Sequence, residues 1–224
     1  MDWEAARISL ALAAATAALL LVPGLWLARW LAMTEWRGRP AIEALVTLPL
    51  LLPPTVLGFY FLVAFGEGSP LAPWLERVFG LRLVFSFEGL LVASLLVNLP
   101  FMVQPAQRAF AAVPQSLREA AWVSGLSGPR TFLRIELPLA WPGVLAGCAL
   151  TFAHTLGEFG VVMMVGGSIP GETRTLSIAI YDRVQAFDDA GATRIALLLL
   201  VFSLAALAVV FIGGRRERRA LRER

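Results

Sequence analysis

The sequence predicts an all-α integral membrane protein with five transmembrane helices, and two observations support this fold class. Apolar residues make up 58% of the 224 residues, and the mean hydropathy is +0.73, far above that of a typical soluble domain. Five apolar stretches also reach the length of roughly 20 helical residues that crosses the hydrocarbon core. We therefore predict one transmembrane domain, residues 1–214, with spans at residues 8–28, 41–65, 83–103, 139–165 and 195–214.

A leader that contains Asp2, Glu4 and Arg7 precedes the first span. A secretory signal peptide has a positively charged leader and a shorter apolar run. We therefore interpret the first span as a helix that the protein retains.

The second span contains three prolines, Pro49, Pro53 and Pro54. Each proline removes a backbone donor and disturbs the carbonyl four residues earlier, and irregular backbone in a membrane is tolerated where it faces protein or water. We expect a bent helix beside a water-filled path, with Pro53 and Pro54 as candidate path residues. A packing kink with no contact to a path is the alternative.

A polar stripe follows one face of the fourth span. Its members recur at steps of three and four residues, and they are Thr151, His154, Thr155 and Glu158. Ser94 and Asn98 form a similar pair in the third span. Because ionisable side chains within a span face the bundle interior or an aqueous cavity, we expect the stripe to point inward, with Glu158 paired to His154 or to Arg174.

A polar loop, residues 113–138, separates the third and fourth spans. Gln115–Val123 is good helix-forming sequence, and Gly125 suits a left-handed helix terminator. Ser127 can cap a second short helix, which we expect to end at Leu137-Pro138. Two short helices that meet at a glycine would form a compact knob.

Two further segments connect the spans on the opposite side. Residues 66–82 contain Gly, Ser and two Pro and are interpreted as a loop. Residues 166–194 begin with irregular, glycine-rich backbone, and Thr175–Phe187 is compatible with a short helix near the membrane surface.

The distribution of arginine predicts the orientation. The chain has no lysine, and placing residues 113–138 in the cytoplasm puts thirteen of the 19 arginines inside and six outside, as the positive-inside rule requires. The N-terminus is then outside and the C-terminus is cytoplasmic. The basic tail, residues 215–224, is expected to lie near anionic lipid rather than to bind nucleic acid.

The polar loop also carries a motif, EAA-x3-G-x9-I-x-LP. Its positions are Glu119, Ala120, Ala121, Gly125, Ile135, Leu137 and Pro138. This spacing resembles the coupling loop of the permease subunits of binding-protein-dependent ABC importers. The resemblance implies a type I importer permease fold in which this cytoplasmic loop docks on the ATP-hydrolysing subunit.

Three other segments narrow the resemblance to molybdate permeases. They are residues 48–58 in the second span, residues 151–160 in the fourth, and residues 169–181, which contain Pro-Gly-Glu-Thr-Arg-Thr. A sulfate/thiosulfate or tungstate permease of the same family is the alternative cargo assignment. His154 is a candidate cargo contact, whereas the Glu158 carboxylate would repel a dianion.

The resemblance also implies an assembly in the bacterial inner membrane. A second copy of the chain would complete the pore, a cytoplasmic ATP-binding subunit would sit below it, and an extracytoplasmic oxyanion-binding protein would deliver cargo from above. Gly171, Glu172 and Arg174 are candidate contacts for that binding protein. The chain lacks a G-x4-G-K-[ST] phosphate loop, so ATP and Mg belong to the partner subunit and no cofactor is expected here.

Two other function classes fit the sequence less well. A non-transporting membrane scaffold would share the spans and the basic tail but would need neither the motif nor the polar stripe. An intramembrane hydrolase lacks support because the sequence has one His and no cluster of metal ligands. The sequence therefore predicts a transporter subunit that is not itself an enzyme.

Overall fold

The computed structural model describes residues 2–222, and the surroundings of side chains for residues 2–208. The described residues form helices joined by turns. These helices are α1 Trp3–Met33, α2 Arg39–Leu51, α3 Pro54–Phe65, α4 Leu71–Phe79, α5 Phe87–Ala111, α6 Gln115–Val123, α7 Gly128–Thr131, a π turn Phe132–Glu136, α8 Leu137–Gly157, α9 Gly160–Gly166, α10 Leu176–Gln185 and α11 Asp189–Arg222.

Four helical segments are long and apolar enough to cross a membrane. They are Trp3–Met33, Phe87–Ala111, Gly128–Gly157 and Asp189–Ala208. A fifth span arises if α2 and α3, which meet at an angle of 110°, are counted as one broken span. The all-helical prediction is confirmed, and the number of candidate spans is four or five.

Helix α5 lies at the centre of the bundle, between α1 and α8, and α11 packs on α8. Gly147 allows the close approach of α8 to α5, because a Cβ there would lie 2.7 Å from the carbonyl oxygen of Met102. Two apolar clusters fill the bundle. One includes Leu90 and Val161, and the other includes Val103 and Val144.

The second predicted span, residues 41–65, is broken rather than bent. Helix α2 ends at Leu51, and Leu52 has extended backbone with ψ of 139°. A residue that precedes proline is pushed out of the helical region by the proline ring, and the tandem Pro53-Pro54 removes two successive donors. The chain therefore turns sharply, and α3 leaves in a new direction.

The fourth predicted span, residues 139–165, also differs from the structure at both ends. The helix that begins at Gly128 does not stop at Leu137-Pro138 but continues through the π turn into α8. At the other end the helix breaks at Glu158, and the short α9 packs against α3. Pro138 was expected to terminate a helix, but the wider π turn directly before it accommodates the proline ring, so the helix continues into α8.

The outer segments contain one predicted helix and one that was missed. The helix expected at Thr175–Phe187 is α10, Leu176–Gln185. The segment interpreted as a loop, residues 66–82, contains α4, whose apolar side chains Trp74, Val78 and Phe79 are exposed. In the basic tail, Arg224 lies outside the described residues, and α11 runs through Arg222.

Candidate coupling surface and translocation path

The EAA motif folds into a compact helix–turn–helix, which we call the coupling knob (residues 113–138). Helix α6 ends in a left-handed turn at Gly125, where φ is +80°, as the sequence predicted. The Leu126 N–H donates to the Ala121 carbonyl at 3.0 Å. Ser127 occupies the N-cap position of α7, as the sequence predicted, but its hydroxyl makes no cap bond. Its carbonyl accepts the Thr131 N–H at 2.8 Å, the first bond of the helix.

The outer face of α6 is exposed and partly apolar. Ala121 is buried at 4% exposure, whereas Trp122 is 55% exposed and Val123 is 91% exposed. Glu119 and Ala120 are also exposed, and the Glu119 carboxylate accepts a hydrogen bond only from Gln115, at 2.8 Å, among the described residues. This face therefore presents aromatic and aliphatic side chains to the surface beside a charged one.

The remaining motif positions lie where the knob joins the bundle. Ile135 and Leu137 are half-buried, and Pro138 is exposed. Glu136, which lies between Ile135 and Leu137, is fully buried. Sequence reasoning did not single it out. Its partner Arg29 is 107 residues away along the chain, so no local pattern connects the two; an acidic residue directly before an apolar run was the available signal.

The polar stripe packs against α5 inside the chain. Thr151 and Thr155 are buried, as are Ser94 and Asn98 on α5. The Nδ1 of His154 lies 3.1 Å from the amide oxygen of Asn98. The imidazole is stacked on Phe101 with ring centroids 4.0 Å apart. The predicted stripe and the predicted Ser94–Asn98 pair are thus brought together, and Phe101 is a partner that sequence reasoning missed.

Glu158 lies at the break between α8 and α9 and makes contacts on both sides. Its carboxylate is 3.8 Å from the Nε2 of His154 and accepts the Val161 N–H at 3.1 Å. Its carbonyl accepts the Ser177 hydroxyl at 2.6 Å. The alternative pairing with Arg174 does not occur, because Arg174 lies 3.0 Å from Asp182.

The two chain breaks lie side by side. A Cβ at Gly160, just after the Glu158 break, would come within 2.7 Å of the Cβ of Pro54. The Pro53-Pro54 break and the polar stripe therefore meet at one level of the bundle.

The outer turn that was predicted to contact a binding protein is only partly free. Gly171, with φ of +80°, and Glu172 are exposed. Arg174 is half-buried, 3.0 Å from Asp182 and 3.7 Å from Asp2. Arg174 therefore ties the turn to the start of α1 and to α10.

Comparison with known proteins identifies the family. The profile of a family described as "Binding-protein-dependent transport system inner membrane component" matches residues 9–219, nearly the whole chain. The chain belongs to this family. It is therefore a transport permease, and the ATPase in such systems is a separate subunit.

The permease resembles curated relatives over nearly its full length. It is 46% identical to "Molybdenum transport system permease protein ModB" of Azotobacter vinelandii, over 96% of this chain and 95% of the relative. It is 32% identical to the protein of the same name from Escherichia coli K12, over 93% and 91%. "Probable sulfate transport system permease protein cysT" of Anthoceros angustus is 33% identical over 84% of this chain and 65% of the relative.

Two solved structures share the fold. The crystal structure of a bacterial alginate ABC transporter in complex with an alginate pentasaccharide-bound periplasmic protein aligns with a TM-score of 0.75 at 17% identity, over 97% of the permease and 78% of that chain. An inward-facing structure of the MetNI methionine ABC transporter aligns with a TM-score of 0.65 at 17% identity, over 94% and 96%. The permease therefore has an ABC importer permease fold.

Proposed function

We propose that the permease forms the translocation path for molybdate in an ATP-driven importer. The observation that carries this proposal is the 46% identity to a molybdenum permease with 95% of that relative covered. The sulfate permease relative is 33% identical and only 65% covered, so sulfate or thiosulfate is the less supported cargo, and tungstate shares the geometry of molybdate. Membership of a transport family argues against the scaffold alternative.

The proposed assembly contains two copies of the permease, an ATP-binding subunit and an extracytoplasmic oxyanion-binding protein. The exposed face of α6 supports docking on the ATP-binding subunit through Glu119, Ala120 and Gly125, with Ala121, Ile135, Leu137 and Pro138 shaping the knob beneath. ATP and Mg are held by that subunit. Closure of the ATPases would then move the knobs together, a rigid-body transition between inward-open and outward-open states.

The proposed topology follows from the arginine distribution. With α2 and α3 counted as one broken span, five spans place the N-terminus outside and the C-terminus in the cytoplasm, within the bacterial inner membrane. Residues 1–214 form the permease domain, and residues 215–224 form a basic cytoplasmic tail.

The proposed path runs beside the two chain breaks. Candidate path residues are Pro53, Pro54, Ser94, Asn98, Thr151, His154, Thr155 and Glu158. Pro53 and Pro54 are exposed and His154 is half-buried, whereas the other five are buried within the chain and would shape the path from behind. His154 is held by Asn98 and Phe101 within the chain, and the Glu158 carboxylate beside it repels a dianion. The path is therefore a weak, gated passage without a tight anion site, which suits an importer that releases cargo inward.

Uptake by reconstituted vesicles tests this proposal. Vesicles contain the permease, the ATP-binding subunit and the oxyanion-binding protein, with ATP inside and labelled molybdate outside. We expect ATP-dependent molybdate uptake that a hundredfold excess of sulfate, a ratio roughly equivalent to 2.7 kcal/mol of discrimination, does not suppress. Uptake of sulfate in place of molybdate would contradict the cargo assignment, and ATP-independent or absent uptake would contradict the function.

A histidine variant tests the weak-passage proposal in the same vesicles. His154→Ala removes one hydrogen-bonding partner of Asn98, a loss of about 1 kcal/mol, so molybdate uptake should fall by less than about tenfold. Phe101→Leu is the matched control because it removes the stacked ring and keeps the imidazole. Loss of all uptake in His154→Ala, with Phe101→Leu still active, would show that His154 contacts cargo.

A further inference from the structure

A buried ion cluster connects the coupling knob to the spans, and neither the docking face nor the path described above includes it. The cluster consists of Arg29 near the end of α1, Arg118 on α6, and Glu136 at the end of the π turn. Glu136 is fully buried, and its carboxylate forms ion pairs with the guanidinium groups of both arginines. Charged side chains are buried in proteins where they are paired. The question for Glu136 is what its two ion pairs contribute to the protein.

We propose that Glu136 is a positioning residue for energy coupling. Together with Arg29 and Arg118 it fixes the docking helix α6 to α1 and to the base of α8, so that displacement of α6 moves these spans as one body. The inference rests on the proposed function, because the displacement comes from the ATP-binding subunit.

The first half of the cluster fastens α1 to the π turn. The Nε of Arg29 donates to Oε2 of Glu136 at 2.5 Å, and its Nη2 donates to Oε1 at 3.3 Å. This is a two-point contact of the kind that fixes orientation as well as distance. The same guanidinium lies 5.4 Å from the ring centroid of Phe132, the first residue of the π turn.

The second half fastens α6. The Nε of Arg118 lies 3.4 Å from Oε1 of Glu136, an ion pair without hydrogen-bond alignment. Its Nη2 donates to the carbonyl of Phe110 at 2.8 Å. Phe110 is in the last turn of α5, and its carbonyl also accepts the Val113 N–H at 3.2 Å. Arg118 therefore links α6 to the end of α5 and to the π turn.

Apolar burial alone does not hold α6 in place. Ala121 is the one residue of α6 that is buried, and it offers a single methyl group. The ion cluster therefore attaches α6 to the bundle, as a buried apolar face does for other helices. A helix held by charge at one point keeps its outer face free for a partner.

The motif itself sets the direction of Glu136. The Leu137 N–H donates to the carbonyl of Phe132, five residues back, and this wider turn precedes Pro138. In a regular α-helix the ring of Pro138 would collide with the carbonyl of Arg134. The π turn relieves that collision and, by accommodating one extra residue, rotates Glu136 toward the bundle between half-buried Ile135 and Leu137.

Charge removal tests the proposal in the complete transporter. Glu136→Gln keeps the shape of the side chain and removes its charge, and Glu35→Gln is the matched control because Glu35 is exposed in the connection between α1 and α2. We expect Glu136→Gln to retain the ATP-binding subunit and basal ATPase activity, while stimulation by the loaded binding protein falls by at least about tenfold, as suits loss of one partner of a buried pair. Stimulation at the level of Glu35→Gln would overturn the proposal.

A double variant separates positioning from folding. Arg29→Gln with Glu136→Gln removes the closest pair together and leaves one guanidinium group without its carboxylate, that of Arg118, where Glu136→Gln alone leaves two, so the chain should assemble even if the single variant does not. We expect this double variant to remain unstimulated. Recovery of stimulation together with assembly would show that Glu136 has only a folding role and would overturn the proposal.

A readout without cargo keeps this test apart from the cargo assignment. Spin labels at Ser116 on α6 and Ala18 on α1, with Cys148 replaced, report the distance between the two helices in the complex with the ATP-binding subunit. We expect a narrow distance distribution in the parent protein and a broad one in Glu136→Gln. Equal widths would overturn the positioning role even if molybdate uptake is confirmed, and unequal widths support it even if the cargo proves different.

Discussion

Two segments outside the spans are built alike but packed differently. The coupling knob and the outer segment (residues 166–188) each contain a glycine at φ of +80°, Gly125 and Gly171, and a short helix, α6 or α10. Helix α10 buries Leu176, Ile178 and Ala179, whereas α6 buries only Ala121. Other residues of the same chain cover the apolar side of α10. The knob has apolar side chains that the chain leaves exposed.

The polar contacts of the two segments show the same difference. The N–H of Leu176 at the start of α10 donates to the Ser9 hydroxyl of α1 at 2.8 Å, and Arg174 pairs with Asp182 and Asp2. In the knob, Arg118 donates to the Phe110 carbonyl of α5 and Glu136 pairs with Arg29 of α1, whereas Glu119 stays at the surface. The outer segment is packed into the bundle, whereas the knob is attached to it by few contacts.

The largest expected effect comes from truncating one apolar residue in each helix. Ile178→Ala should reduce the free energy of unfolding by about 2–5 kcal/mol, because Ile178 is fully buried. Val123→Ala should change it by less than about 0.5 kcal/mol, because Val123 is at the surface. Thermal unfolding in detergent measures both. A comparable loss of unfolding free energy in the two variants would contradict the distinction between the packed outer segment and the loosely packed knob.

An intermediate effect is expected at the turn of the knob. Gly125→Val places a β-branched side chain in the left-handed region, at a cost of about 1–2 kcal/mol. Uptake and ATPase stimulation should both fall by about tenfold, the ratio that 1.4 kcal/mol represents. Gly125→Asn is the control, because Asn tolerates this backbone conformation. Normal coupling in Gly125→Val would mean that the turn does not shape the docking surface.

The smallest effect is expected at the outer turn. Arg174→Glu should weaken delivery by the loaded binding protein and leave basal ATPase activity intact. The effect should be modest, about 1 kcal/mol, because partly exposed ion pairs contribute little. The concentration of binding protein that gives half-maximal stimulation measures it. An unchanged value would show that Arg174 is not part of the docking surface and only connects the outer turn to α1 and α10.

The sequence predicted features set by local chemistry better than those set by distant contacts. The end of α6 at Gly125 and the position of α10 follow from backbone preferences within a few residues. The tandem prolines predicted a distortion but not its size of 110°. The π turn before Pro138 was missed because the proline was interpreted as a helix end.

Side-chain partners across the bundle could not be predicted. The stripe on α8 was visible from its spacing, but Phe101 and the pairing of His154 with Asn98 depend on how α5 and α8 pack. The same holds for Glu136, whose arginine partners come from α1 and α6. Spacing along one helix identifies a face, whereas the partner of that face is fixed by the tertiary structure.

The most direct test of the account compares two highly exposed apolar residues, Val123 in the knob and Phe187 in the outer segment, at 91% and 93% exposure. Single-cysteine variants Val123→Cys and Phe187→Cys, each with Cys148 replaced, are labelled with a membrane-impermeant maleimide in intact cells and in inverted vesicles, with and without the ATP-binding subunit. We expect Phe187→Cys to be labelled only from outside and to be unaffected by the subunit. Val123→Cys should be labelled only in inverted vesicles and should be protected when the subunit is bound. Labelling of Val123→Cys from outside, or equal labelling with and without the subunit, would contradict the proposed coupling surface.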